Sequence, residues 1–83
     1  MSALIMFRTL LHAQRGSRVL TEEGIPSQVV KAPRESEVNG CAYSVRLSEK
    51  RLESALPRLR ERGVPFGKIY AIDSQGVARE IMP

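Results

Sequence analysis

The sequence predicts an α+β fold: a ferredoxin-like split βαβ sandwich (βαββαβ), with two helices on one face of a four-stranded antiparallel sheet. Three observations carry this expectation. The chain repeats itself, because a slide of about 39 positions, near the length of one strand-helix-strand unit, sets Leu20-Thr21-Glu22-Glu23-Gly24-Ile25-Pro26 on Leu59-Arg60-Glu61-Arg62-Gly63-Val64-Pro65. Each copy reads as a short apolar run, then a stretch with helical spacing, then a second short run. Two such units in series pack most economically with the first and third strands antiparallel in the centre of one sheet.

The elements follow in order. Ala3 to Phe7 is a short apolar strand, and Thr9 is a good N-cap for a helix from Leu10 to Glu23. The helix should bury the stripe Ala13, Gly16, Ser17 and Leu20, and end at Gly24, with Pro26 as a further stop. Ser27 to Ala32 is the second strand and Ala42 to Leu47 the third. Ser48, aligned with Thr9, should cap a helix from Glu49 to Arg62 that buries Leu52, Ala55, Leu56 and Leu59 and is closed by Gly63. Pro57 lies inside that helix, where it removes one backbone bond at a cost of up to about 3 kcal/mol unless it sits on the solvent side. Lys68 to Asp73 is the fourth strand. Ser74-Gln75-Gly76 is a turn, after which Val77, Arg79 and Ile81 alternate as an optional short C-terminal edge strand.

Length and composition narrow the function. Eighty-three residues are read as a single domain, 1–83, with its core over about 3–73. A chain this size has a core only just sufficient to fold, so its function should sit on a surface or in a shallow groove. One cysteine excludes an internal disulfide, no cysteine-histidine cluster has metal-ligand spacing, and no cofactor motif is present, so neither a metal nor a cofactor is expected. The apolar start is too short for a signal-peptide core or a membrane span, and a reducing cytoplasm is the expected setting. The net charge of +4 favours acidic partners, but the thirteen basic residues are interspersed with nine acidic ones. With only Phe7, Tyr43, Phe66 and Tyr70 as aromatics, nothing resembles a basic-aromatic RNA-binding strand, and nucleic acid is not the expected partner.

The one strongly nucleophilic group is Cys41, in the loop Pro33-Arg34-Glu35-Ser36-Glu37-Val38-Asn39-Gly40-Cys41. The expected topology sets the start of the third strand against the end of the first, which brings Cys41 near Arg8, Thr9 and the first turn of the first helix. A helix N-terminus and nearby arginines (Arg8, Arg34, Arg46) lower a thiol's pKa below its ordinary value of about 8.5. His12, the sole histidine, falls in that turn and is the candidate thiol partner. A second reading stays open at this point: a strand beginning at Gly40 puts Cys41 on the face of Tyr43, Val45 and Leu47, as a small buried hydrophobe.

At Phe7-Arg8-Thr9 with His12-Ala13, at Gly24-Ile25-Pro26, and at Pro33-Arg34-Glu35-Ser36 ending in Gly40-Cys41-Ala42 ahead of Arg46, the chain resembles the Se/S carrier protein-like family over roughly residues 3 to 72. The family's usual order is cysteine then glycine, whereas here Gly40 precedes Cys41. The resemblance implies sulfur or selenium transfer, with Cys41 as the position that bears a persulfide or selenopersulfide. It implies a carrier or accessory protein rather than an independent enzyme, with a protein donor or acceptor such as a cysteine desulfurase as partner. On this reading Arg8, Thr9, Pro33, Arg34, Ser36 and Gly40 surround the thiol as partner-binding residues. The alternative is a regulatory or interaction module with a structural cysteine, which dimerises or binds a protein through its sheet edge.

Overall fold

The computed structural model describes residues 1–31 and 43–81. Strand β1 (Ser2–Phe7) leads into helix α1 (Leu10–Glu22), followed by β2 (Ser27–Lys31) and β3 (Tyr43–Ser48). A 3-10 turn (Glu49–Arg51) opens helix α2 (Leu52–Glu61), and β4 (Ile69–Ile72) and β5 (Ala78–Ile81) complete the described chain. All neighbouring strands are antiparallel in a five-stranded sheet of order β2-β3-β1-β4-β5, with β1 at its centre.

The sheet therefore has five strands: the four expected, and the C-terminal edge strand that was expected only as an option. The fifth forms because the turn after β4 is closed by side chain and backbone together. Asp73 accepts the amides of Gln75 and Val77 on Oδ1, each at 2.9 Å, and its own amide donates to the Val77 carbonyl at 3.1 Å. Gly76 takes φ +81, a conformation that only glycine adopts without strain. β5 then pairs along β4 from Ile72↔Ala78 to Ile69↔Ile81, and Ile81 packs against the core.

Alternation along β1 divides the interior in two. Ala3, Ile5 and Phe7 face a cluster that holds the buried residues of both helices, together with Val45, Leu47 and Ile69. Leu4 and Met6 point to the other face, where Val30, Tyr70 and Ile72 pack around them. Ser44, opposite Met6 in register, is fully buried there and donates its hydroxyl to the Val30 carbonyl at 3.3 Å. Among the described residues no buried side-chain polar atom lacks a hydrogen-bond partner.

The repeat is most visible at the helix ends. Ile25 donates to the Leu20 carbonyl at 2.8 Å and Gly24 to Thr21 at 3.0 Å; Val64 donates to Leu59 at 3.0 Å and Gly63 to Arg60 at 3.1 Å. Gly24 and Gly63 both have positive φ, so each helix ends in the same Schellman motif, with an apolar residue folded back beneath it. Glu22 and Glu23 at the carboxyl end of α1 oppose the helix dipole. Arg62 and Arg58 from the end of α2 offset them, at 3.0 Å and 3.1 Å.

Two local expectations change, and the exception allowed for Pro57 is met. The buried stripe of α1 is Ala13, Gly16, Val19 and Leu20, while Ser17 is half-buried with its hydroxyl 2.9 Å from that of Ser27. Ser48 makes no capping bond. Its place at the head of a helix is taken by the 3-10 turn, where the Glu49 amide donates to the Met1 carbonyl at 3.2 Å. Pro57 stands on the exposed side of α2, where water can hydrate the Glu53 carbonyl that a proline leaves without its usual donor.

Candidate functional site

At Phe7 the central strand ends, and Thr9 turns the chain into α1. Thr9 is extended (φ −127, ψ 154), and its Oγ1 accepts the His12 amide at 3.1 Å, occupying one of the donors at the helix start. This cap fixes the first turn, leaving Arg8 exposed and His12 half-buried beside it.

Antiparallel pairing brings a second segment to the same place. Because β4 begins where β1 ends, the connection from α2 to β4 runs alongside Met6: the Gly67 amide donates to the Met6 carbonyl at 2.8 Å, and the Met6 amide donates to the Lys68 carbonyl at 2.9 Å. Arg8, Thr9 and His12 on one side, with Pro65, Phe66, Gly67 and Lys68 on the other, line an open groove of about 580 Å³. Phe66 is half-buried against the core, and the Arg60 guanidinium lies 5.7 Å from its ring centroid. Lys68 reaches Glu80 of β5 at 3.2 Å, which ties the groove wall to the edge of the sheet.

Tyr43, at the start of β3, is the register partner of both Phe7 at the end of β1 and Lys31 at the end of β2. Pro33, Arg34, Ser36, Gly40 and Cys41 lie outside the described residues. Of the sequence-predicted site residues, Arg8, Thr9 and His12 are brought together in the groove. Arg46 is not: it is exposed further along β3, and its Nε donates to Ser2 Oγ at 3.3 Å.

The groove wall at residues 65–68 was absent from the sequence reading. Its signal was present, since Pro65 and Gly67 mark a connection and the expected topology already placed a fourth strand beside the first. Among the described residues no group of three or more His, Cys, Asp or Glu side chains is arranged to hold a metal ion, and no helix is long and apolar enough to cross a membrane.

Fold and groove together define a small α+β domain with a shallow, basic-rimmed site at the end of its central strand. The family described as "Putative Se/S carrier protein-like" matches residues 2–71, and the chain belongs to that family. No curated protein and no solved structure matches the chain.

Proposed function

We propose that the protein carries sulfur or selenium as a persulfide or selenopersulfide on Cys41, which it accepts from one protein and delivers to another. Family membership gives the chemistry its class. The observation that carries the reading is the grouping of Arg8, Thr9 and His12 at the end of β1, where Phe7 is the register partner of Tyr43. Cys41 lies two residues before Tyr43 in the chain.

The transfer is an exchange between sulfur atoms. The Cys41 thiolate attacks the outer sulfur of a donor's persulfide; the bond from Cys41 to that sulfur forms as the donor's S–S bond breaks, and the donor cysteine leaves as a thiolate. A selenopersulfide donor transfers its outer selenium in the same way. Electrons balance within the exchange, and no cofactor enters. What the protein must supply is a thiolate near neutral pH and access for the donor, which a groove on a small domain provides. Arg8 favours the anion, and His12 takes the thiol proton. The chain thus acts as a carrier and not as an independent enzyme, in the cytoplasm, with a protein such as a cysteine desulfurase as donor.

The strand order supports the ferredoxin-like reading, in which β2-β3-β1-β4 forms the split βαβ sheet and β5 extends it. The reading as an interaction module keeps one specific support: β5 and β2 are sheet edges able to pair with a partner strand.

The pH dependence of Cys41 alkylation tests the carrier reading, measured in the folded protein, in denaturant, and in His12→Ala. An apparent pKa well below about 8.5 in the folded state only, rising on loss of His12, supports it. Protection of the thiol that disappears only on unfolding makes Cys41 structural and favours the interaction module.

A further inference from the structure

We infer that the groove at the end of β1 docks a short acidic segment of a partner protein, one that carries an apolar side chain between carboxylates. The inference rests on the carrier reading for the partner's role, but it names a surface and a ligand chemistry that the reading does not.

Charge is the first ground. Arg8 and Lys68 rim the groove, and among the described residues its lining includes no carboxylate. Glu80 engages Lys68 from the neighbouring strand. The guanidinium of Arg60, stacked over Phe66, adds a further cation behind the wall.

Apolar surface is the second. Pro65 and Phe66 form part of the lining, the first exposed and the second half-buried. A small inorganic anion would use the cations and leave this surface wet. A peptide with an apolar anchor flanked by carboxylates uses both, since burial of the anchor supplies affinity and the rim charges supply orientation and on-rate. An open cleft of about 580 Å³ has room for the apolar side chains of a short peptide but not for a folded domain.

Nuclear magnetic resonance titration of the isotope-labelled protein tests this directly. The probes are a synthetic peptide with one leucine and one phenylalanine set among aspartates and glutamates, the same peptide with lysines for its acids, and a single-stranded oligonucleotide. The acidic peptide is expected to shift the amides of Arg8, Thr9, His12, Gly67 and Lys68. Binding should weaken by about tenfold or more in Arg8→Glu, and less in Arg8→Gln. Replacing the peptide's two apolar residues by serine should weaken it as well. Absence of shifts, shifts elsewhere, equal binding of the basic peptide, or tighter binding of the oligonucleotide would each overturn the inference.

Repeating the titration with Cys41→Ser separates it from the carrier reading. Docking that survives loss of the thiol stands without sulfur transfer. A protein that accepts sulfur yet ignores the peptide loses only the docking inference.

Discussion

The Phe7 ring lies directly over Gly16, so close that a Cβ built on Gly16 would stand 2.8 Å from Phe7 Cζ. Phe7 is fully buried at the end of the central strand. This contact seats α1 on the sheet next to the groove, and it explains a glycine within a helix where alanine has the better propensity.

Gly16→Ala is therefore expected to destabilise the protein in spite of a helix-propensity gain of about 1 kcal/mol. The overpacking penalty of roughly 1–3 kcal/mol should dominate. A net loss of 1 kcal/mol lowers the Tm of a domain this size by about 4–8 °C, which calorimetry reads directly. A rise in Tm would mean that the ring yields at little cost.

Thr9→Ala should cost about 1 kcal/mol, because the His12 amide loses its acceptor. Thr9→Ser should restore most of it. Urea denaturation gives the size of the loss, and amide exchange at His12 locates it at the helix start; unchanged exchange there would mean that the cap does not hold the turn.

Asp73→Ala removes the acceptor of two backbone amides, those of Gln75 and Val77. The expected loss is about 1–2 kcal/mol, with fast amide exchange confined to β5 while β1 and β3 stay protected. Uniform acceleration across the sheet would show that β5 is not a separable edge.

The pairs Glu22 with Arg62 and Glu23 with Arg58 join the helix ends through half-exposed side chains. Double-mutant cycles should return coupling below about 1 kcal/mol for each, falling as salt is raised. A larger, salt-insensitive coupling would point to a role in fold specificity beyond simple ion pairing.

Much of this architecture was legible in the sequence because local signals and the repeat agreed. Gly24 and Gly63 mark helix ends whose positive φ only glycine adopts easily, and Thr9 precedes a helical stripe as a good cap should. The fifth strand was readable only as an option, since Val77 to Ile81 is short and its turn is closed by Asp73 bonding two amides two and four residues on, a detail of local side-chain geometry. Ser48 shows the opposite failure: a residue with capping chemistry that heads a 3-10 turn and makes no side-chain capping bond. At the site, Arg8, Thr9 and His12 were legible because they are consecutive in the chain or nearly so. Phe66 and Lys68 enter from far along the sequence, through the antiparallel pairing of β4 with β1, and only the strand order brings them in.

The measurement that bears most directly on the carrier account is sulfur acceptance by the purified protein. The protein would be incubated with a cysteine desulfurase and cysteine, and its intact mass compared with that of Cys41→Ser treated alike. The account predicts a gain of one sulfur atom in the wild-type chain, reversed by a reducing thiol and absent from the variant. No gain in the wild-type chain, or an equal gain in the variant, would contradict it.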